Sequence, residues 1–207
     1  MTVLERVAAL IEDLPGERVL VAFDGPDAAG KTTLARAVAD RLSRPSLCAS
    51  VDGWHHPRDV RLRRGPESPA GYYADSFDLE ALVRDLLEPF REGATRVRTE
   101  ATAQQYQDLS RRCVLLLDGV FLLRPELRSH WDLSVYLHVP EEVTLARALV
   151  RDLDQYEDSA ALRRRYQRRY LPGQTLYRDS ASPLQAADVV IDNSDWDDPL
   201  VLRWPSA

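Results

Sequence analysis

The apolar positions divide the chain into short continuous runs and longer segments with helical spacing. The runs predict strands, and Cys113–Leu117 contains no charged or polar side chain beyond its cysteine, as expected for a strand covered on both faces. Segments that repeat apolar residues every three or four positions predict helices. This alternation predicts an α/β fold, with about five parallel strands flanked by helices. The predicted strands are Arg18–Phe23, Pro45–Val51, Cys113–Leu117, Leu133–Val139 and Asp188–Ile191, and the main predicted helices are Met1–Leu14, Thr32–Leu42, Asp78–Phe90 and Glu141–Val150.

Two polar segments interrupt this pattern. Residues 53–73 are basic and contain several prolines and glycines, which predicts a loop with at most short helical turns. Residues 152–169 are dense in charge and rich in arginine. The sequence has no repeat and no linker between separate units. We therefore expect one domain over residues 1–207, with an arginine-rich lid at about 152–172.

The segment between the first predicted strand and the next helix has the pattern of a phosphate-binding loop, or Walker A motif. It reads Gly-Pro-Asp-Ala-Ala-Gly-Lys-Thr from Gly25 to Thr32 and matches G-x-x-x-x-G-K-[ST] at every fixed position. Backbone N–H groups of such a loop surround phosphate, and the lysine adds a mobile charge. Without nucleotide, Lys31 is expected to face solvent. The expected ATP contacts are Gly25, Asp27, Ala28, Ala29, Gly30, Lys31, Thr32 and Thr33.

Composition narrows the class of protein. The net charge of −6 argues against a protein that binds mainly nucleic acid. No apolar run exceeds five residues, and the N-terminus lacks the pattern of a signal peptide, so we expect no membrane association. Cys48 and Cys113 match no metal or redox spacing, which favours a reducing cytoplasm. Homo-oligomerisation stays open. Lys31 is the single lysine beside 26 arginines, and it lies in the phosphate loop.

Charged residues at strand and helix ends favour a kinase over a nucleotide-dependent switch. A guanine-reading Asn-Lys-x-Asp element cannot exist here, because the only lysine is already used. Asp118 ends a buried strand, where it and Thr32 could hold Mg²⁺, although a turn-forming Asp-Gly is the alternative. Asp52 ends the second strand, where it could orient an acceptor hydroxyl and take its proton. Arg151 precedes the arginine-rich segment, whose members could close over a triphosphate or form a solvated helix face.

At these residues the chain resembles the uridine kinase branch of the P-loop kinases, which is related to phosphoribulokinase and bacterial pantothenate kinase. The resemblance implies ATP and Mg²⁺ as cofactors and a small-molecule acceptor. It further implies that Asp52 is the general base, that Asp118 belongs to the metal site and that Arg151 reaches the nucleotide phosphates. Besides the phosphate loop, the matching segments are 51–56, 72–78, 117–120 and 147–152.

The chain departs from that family on the acceptor side. Tyr72 stands where uridine kinases carry an aspartate, Thr99-Glu100 replaces a Tyr-Asp pair, and Arg147-Ala148 replaces two arginines. Trp54 could stack on an acceptor ring or pack in the loop, and Asp75 could be only a helix cap. Arginines 61, 63 and 64 could recognise an acidic acceptor or be solvated. The expected substrate residues are Asp52, Trp54, His55, Tyr72, Tyr73 and Asp75.

We therefore expect ATP-dependent phosphotransfer to a hydroxyl of a nucleoside-like small molecule, with Asp52, Lys31 and Arg151 as the catalytic residues. The first alternative is a kinase for another metabolite, such as pantothenate, a sugar phosphate or a different riboside. The second is a nucleotide-binding regulator without phosphotransfer.

Overall fold

The structure is a computed structural model and describes residues 1–102 and 106–205. Its strands are β1 (Arg18–Asp24), β2 (Ser46–Ser50), β3 (Arg96–Val97), β4 (Gln107–Asp108), β5 (Cys113–Gly119), β6 (Leu133–His138), β7 (Val189–Asp192) and β8 (Leu200–Arg203). Its α-helices are α1 (Val3–Glu12), α2 (Lys31–Ala39), α3 (Arg58–Leu62), α4 (Pro69–Asp75), α5 (Leu79–Leu82), α6 (Glu88–Arg91), α7 (Pro125–Arg128), α8 (Glu141–Arg151), α9 (Ser159–Arg165), α10 (Leu171–Ala181) and α11 (Pro183–Ala186).

A six-stranded sheet forms the centre of the fold, in the order β2-β5-β1-β6-β7-β8. The pairs among the first five strands are parallel, which confirms the predicted parallel α/β sheet. The sixth strand, β8, pairs antiparallel with β7 and was not predicted. Its four residues include exposed Leu200 and Leu202, so the segment has no clean alternation of buried and exposed positions.

Apolar layers cover both faces of the sheet. In β1, Leu20 and Ala22 face one cluster, which includes the helical segment from α5 to α6. Val21 and Phe23 face the other, which includes α1 and α2. The central strands are therefore buried on both sides, and their near-continuous apolar runs follow from that burial.

Three short helical turns lie in the polar segment after β2. A 3₁₀ turn at Val51–Trp54 follows the strand directly, and α3 and α4 come next. Ser68 caps α4 by accepting a hydrogen bond from Gly71 N, and Pro69 occupies the first helical turn, where its missing N–H costs nothing. This confirms the predicted loop with short turns and places it beside the carboxyl end of the sheet.

A long arginine-rich helix occupies most of the segment expected from sequence to be a lid and extends beyond it. It consists of α9, a π-helical turn at Tyr166–Tyr170 and α10, which follow one another without a break. The Asp158 side chain caps its first turn by accepting a hydrogen bond from Ala161 N at 2.7 Å. Its C-terminal half packs on α4. No helix in residues 1–102 or 106–205 is both long and apolar enough to cross a bilayer.

Candidate active site

The carboxyl ends of three neighbouring strands bring the candidate site together. In the register of the sheet, Phe23 of β1 pairs with Asp118 of β5, which pairs with Ser50 of β2. The phosphate loop leaves β1 one residue later, and Asp52 lies two residues beyond Ser50. Parallel strands thus place the phosphate loop, Asp118 and Asp52 along one edge of the sheet.

The phosphate loop has a backbone that its glycines make accessible. Gly25 has a φ of +150° and Gly30 a φ of +91°, both in the region where side chains are strained. A Cβ on Gly25 would lie 2.5 Å from the carbonyl oxygen of Leu137, so β6 also excludes a side chain there. Gly30 then begins α2, which places the N-terminus of a helix at the loop.

Lys31 is buried rather than solvent-facing, which corrects the expectation from sequence. Only 9% of its surface is exposed, and its Nζ donates to the carbonyl oxygen of Pro26 at 2.6 Å. Burial lowers its pKa, while the carboxylates of Asp27, Asp24, Asp118 and Asp52 act in the opposite direction. The single lysine therefore lies at the centre of the acidic residues of the site.

Thr32 and Asp118, the expected metal residues, lie in direct contact. Thr32 Oγ1 donates to Asp118 Oδ2 at 2.7 Å, and Ser50 Oγ lies 3.4 Å from the same oxygen. Burial raises the pKa of Asp118, and the negative charge of Asp52 adds to this, so a bound cation would favour its ionised form. Hydroxyl and carboxylate oxygens suit Mg²⁺, which takes few protein ligands together with phosphate and water. The described residues contain no cluster of three or more His, Cys, Asp or Glu side chains that could enclose a metal alone.

A cavity of about 680 Å³ lies beside the phosphate loop and has the size of a small-ligand site. Residues 28–33 form one wall, and Arg147, Arg151 and Trp196 are on the other. The Arg147 guanidinium stacks on the Trp196 ring at 4.1 Å, and its Nη1 is buried without a hydrogen-bond partner. The cavity therefore joins the backbone of the phosphate loop to a half-exposed indole ring and to a guanidinium that Ser194 also holds through its carbonyl oxygen.

The segment after β7 attaches to the phosphate loop. Asn193 Nδ2 donates to the carbonyl oxygen of Ala29 at 2.7 Å, and both Asn193 and Trp196 lie close to the Cα of Gly30. Sequence analysis missed these two residues. The signal that could have found Asn193 is that it is the only asparagine of the chain. Trp196 was not selected because it lies in the acidic stretch 195–198, whose composition is typical of a solvated turn.

Arg151 is held in a fixed orientation at the end of α8. Its Nε and Nη2 donate to the two oxygens of Asp152 at 2.6 and 2.9 Å. Asp152 also accepts a hydrogen bond from the Tyr166 hydroxyl at 3.0 Å. This pairing raises the pKa of Arg151 and keeps it charged beside the cavity next to the phosphate loop, which we call the nucleotide cavity after the ligand expected there.

Arginines of the long helix, which begins after Arg151, contact the segment before α4. Arg164 and Arg168 pair with Glu67, and Arg169 donates to backbone carbonyls of the segment before α4. Among the arginines that the structure describes, those lining the nucleotide cavity are Arg147 and Arg151. The long helix thus faces the segment between α3 and α4, and its arginines do not line the cavity beside the phosphate loop.

Asp24, which sequence analysis did not single out, is fully buried where β1 becomes the phosphate loop. It accepts hydrogen bonds from Gly25 N at 2.7 Å, from Leu123 N at 3.2 Å and from the Tyr177 hydroxyl. Burial raises the pKa of Asp24 to about 6, and the Tyr177 hydrogen bond opposes that rise. A titratable carboxylate therefore connects the phosphate loop with α10.

Asp52, Trp54 and His55 share one turn but have different environments. The Asp52 side chain is 73% exposed, and His55 Nε2 lies 4.0 Å from its carboxylate. His55 Nδ1 lies 2.8 Å from the Asp52 carbonyl oxygen, and its ring packs on Phe77 at 4.5 Å. Trp54 is fully buried in the core, so its ring does not face solvent. The structure thus brings Asp52 and His55, but not the Trp54 ring, to the exposed side of the turn.

Tyr72, Tyr73 and Asp75 all lie on α4. The Tyr72 hydroxyl donates to Asp27 Oδ2 at 2.9 Å, which joins α4 to the phosphate loop. Tyr73 accepts a hydrogen bond from Ser180 and packs on other aromatic rings of the core. Asp75 is buried and paired with two arginines, Arg63 and Arg64, which lower its pKa. The side chains of these three residues are therefore already engaged by protein groups.

No family model matches the chain. A uridine kinase of Geobacillus sp. strain WCH70 is 24% identical over 149 residues, which cover 66% of this chain and 68% of that protein. A structure described as a possible uridine kinase from Bacillus stearothermophilus superposes with a TM-score of 0.72 at 23% identity, covering 90% of this chain and 96% of the other. A kinase attributed to a fructose transport system of Silicibacter sp. TM1040 superposes with a TM-score of 0.71 at 26% identity, covering 87% and 96%.

Fold and relatives together show a P-loop kinase, an ATP-dependent enzyme of the class that acts on small molecules. Within that class the chain is similar to uridine kinases in sequence and in fold.

Proposed function

We propose that this kinase transfers the γ-phosphoryl group of ATP to a hydroxyl group of a nucleoside-like small molecule, with Asp52 as the general base. The observation that carries the proposal is the position of the Asp52 carboxylate. It is 73% exposed, it lies in the turn directly after β2, which pairs with the strand that carries Asp118, and its charge raises the pKa of Lys31. A carboxylate so placed can accept the proton of a hydroxyl that faces the phosphate loop.

The donor side supports ATP as the phosphoryl source. The β- and γ-phosphates would contact backbone N–H groups of the loop and the Nζ of Lys31, which would exchange its contact with Pro26 for phosphate. The nucleobase would stack on the exposed Trp196 ring, with Arg147 beside it. Arg151, oriented by Asp152, would stabilise charge on the transferring group.

Thr32 and Asp118 fit a magnesium ion, with Ser50 close by. Such an ion would supply positive charge that offsets the negative charge of the phosphates. The protein's part is to keep Asp118 ionised and its oxygen directed at the phosphate loop. The Thr32 hydroxyl contributes to both, because its hydrogen bond lowers the pKa that burial raises.

The transfer balances with the groups present. A bond forms between the acceptor oxygen and the γ-phosphorus, the bond from that phosphorus to the β–γ bridging oxygen breaks, and ADP leaves with the electron pair. The hydroxyl proton goes to Asp52. Lys31 and Arg151 lie on the donor side, where negative charge accumulates on the leaving oxygen.

The Asp52→Asn variant tests the proposal. The amide can still hydrogen-bond the hydroxyl but cannot accept its proton, so kcat should fall about 10²- to 10⁴-fold. The ATP affinity should stay near normal, since the nucleotide cavity does not include Asp52. Asp59→Asn is the matched control, because Asp59 is an exposed aspartate on α3, a few residues away. Steady-state kinetics and ATP titrations at several Mg²⁺ concentrations provide the readout.

Three outcomes of that experiment are distinct. Rescue by additional Mg²⁺ would make Asp52 a metal ligand instead of a base. Unchanged turnover would contradict the mechanism. Tight ATP binding with no turnover of any acceptor by the unmodified protein would favour a nucleotide-binding regulator.

A panel of acceptors separates the remaining alternatives. Uridine heads the panel because relatives are named uridine kinases, and pantothenate, sugar phosphates and other ribosides follow. ATP consumption that depends on the acceptor identifies the substrate.

A further inference from the structure

A second cavity, of about 760 Å³, lies between the segment from α3 to α4 and the start of the long arginine-rich helix. Five arginines line it, against two glutamates, Glu67 and Glu157. Its surface is therefore strongly positive in a chain whose net charge is −6. The five arginines are Arg58, Arg61, Arg64, Arg164 and Arg165.

Two carboxylates near this cavity, those of Glu67 and Asp75, are already paired, whereas Glu157, which also lines it, is exposed and makes no ion pair in the described structure. Glu67 lies 2.9 Å from Arg168 and 3.7 Å from Arg164. Asp75 lies behind the cavity wall and forms ion pairs with two arginines. Its Oδ2 lies 2.7 Å from the Nε of Arg64, and its Oδ1 contacts Arg63. Glu67 and Asp75 thus neutralise the arginines that they contact, and they leave Arg61 and Arg165 without a counter-charge.

Arg61 and Arg165 have no carboxylate partner among the described residues. Arg61 Nε is buried and makes no hydrogen bond. Arg165 donates to the Pro66 carbonyl oxygen and lies 3.4 Å from the Tyr170 hydroxyl. A guanidinium that is partly removed from water without an acceptor is unfavourable, and an oxyanion would relieve this cost.

Arg169 adds a third positive charge behind the cavity. It is 3% exposed and donates to the carbonyl oxygens of Ser68 and Arg61 at 3.1 and 3.2 Å. Burial lowers its pKa, and the nearby charges of Arg165 and Arg61 lower it further. The fold therefore holds three like charges together around one opening.

Side-chain contacts link the wall of this cavity to the phosphate loop, and the chain itself links it to the turn that carries Asp52. Tyr156 lines it, and the Tyr156 hydroxyl lies 3.4 Å from that of Tyr170. The Tyr170 ring packs on Tyr72 at 4.9 Å between centroids, and the Tyr72 hydroxyl donates to Asp27 of the phosphate loop. In the other direction, α3 begins six residues after Asp52, so the cavity wall continues directly from the turn that carries the proposed base.

We propose that this cavity holds an oxyanionic group of the phosphoryl acceptor, so that the substrate is a phosphorylated or carboxylated small molecule with a free hydroxyl. The proposal rests on the proposed kinase function and makes its substrate class more specific. It distinguishes this chain from an enzyme for a neutral nucleoside. The hydroxyl would face Asp52, while the anionic end would contact Arg61 and Arg165.

Kinetics with matched acceptors tests the substrate class. Ribose and ribose 5-phosphate form a pair that differs by a phosphate, and glycerol and glycerate form a pair that differs by a carboxylate. The anionic member of at least one pair should be preferred, and Arg61→Gln and Arg165→Gln should each raise its KM by about 10- to 100-fold. The KM for ATP should stay within about twofold. Arg112→Gln is the control, because Arg112 is exposed and lies just before the first residue of β5, at the end of the strand opposite to Asp118.

A binding measurement gives an answer that does not depend on turnover. With the nucleotide cavity filled by a non-hydrolysable ATP analogue, inorganic phosphate or acetate should raise the melting temperature of the wild type and of Arg112→Gln. The rise should be smaller in Arg61→Gln and Arg165→Gln. An effect of phosphate alone would indicate a phosphorylated acceptor, and an effect of acetate alone a carboxylated one.

The results that overturn this inference differ from those that overturn the kinase. A preference for neutral acceptors, with KM unchanged in Arg61→Gln, contradicts the inference and leaves the kinase intact. Equal melting shifts in all variants also contradict it. ATP binding without transfer to any acceptor contradicts the proposed function, while the melting shifts still decide whether the cavity binds an oxyanion.

Discussion

The Tyr177→Phe substitution should destabilise the protein by an amount that depends on pH. It removes one hydroxyl that donates to the fully buried carboxylate of Asp24 and leaves the ring in place. The Leu123 N–H donates to the same hydroxyl at 3.0 Å and also to Asp24 Oδ2 at 3.2 Å. It therefore still has an acceptor after the substitution. The loss is therefore mainly one hydrogen bond to Asp24, whose strength depends on the charge of that carboxyl.

The direction of the pH effect follows from the raised pKa of Asp24. Its folded-state value of about 6 exceeds the ordinary 3.8, so the folded protein keeps a proton that the unfolded chain releases. Stability should thus decrease between about pH 4 and pH 6, by about 3 kcal/mol for a shift of this size, and then level off. The Tyr177 hydroxyl opposes the pKa rise, so its removal raises the value further and extends the decrease to higher pH.

Two pH values suffice to measure the effect. At pH 5 the carboxyl is mostly protonated in both proteins, and the substitution should cost about 1 kcal/mol, as for a neutral hydrogen bond. At pH 8 it is ionised in the wild type, and the cost should be about 2–3 kcal/mol. Urea unfolding followed by circular dichroism measures the free energy of unfolding at each pH.

Tyr136→Phe is the matched control. Tyr136 is also buried near Asp24 but makes no hydrogen bond to it in the described structure. Its substitution should have the same cost at pH 5 and pH 8. If Tyr177→Phe also had equal costs at the two values, Asp24 would not titrate as its burial requires, and the argument would be wrong.

Three further predictions concern the nucleotide and the metal. Lys31→Met should lower kcat by at least about 10²-fold, and Lys31→Arg should also be inactive because a planar guanidinium cannot replace a compact ammonium. Melting curves must accompany the kinetics, since Lys31 is buried. An active Lys31→Arg enzyme would refute the proposed contact between Lys31 and phosphate. Asp118→Asn should raise the Mg²⁺ concentration needed for half-maximal activity, as measured by Mg²⁺ titration, and undiminished activity of the wild type in EDTA would exclude the metal role. Trp196→Ala should weaken ATP binding about 3- to 10-fold in calorimetric titrations without changing the KM for the acceptor, and equal affinity would show that the base does not stack there.

Sequence reasoning was effective where a local pattern determines the structure. The phosphate loop, the strands around Asp118 and the loop that carries Asp52 all follow from runs and spacings within a few residues. The burial of Lys31 could not be predicted, because it depends on the contact of the lysine Nζ with the Pro26 carbonyl oxygen, which the motif does not specify.

Contacts between distant segments were beyond reach of the same reasoning. The Asp24–Tyr177 hydrogen bond joins residues 153 positions apart, and neither residue belongs to a motif. The arginines of the long helix were predicted as a charged segment, but their partners lie about 100 positions earlier. The charge density of the segment did not predict the long helix, and the partners of its arginines are decided by tertiary packing.

The contact between Asn193 and Ala29 has a consequence for how the protein is made. The phosphate loop leaves the ribosome early, but Asn193, which contacts it, is 164 positions later in the chain. The delay between the two is roughly 10–30 s at ordinary rates of synthesis. During that interval β1 also lacks β5 and β6, its two neighbours in the sheet. The nascent chain therefore exposes an apolar strand and an unfinished loop. We expect that nucleotide cannot assist folding until nearly all of the domain has been synthesised.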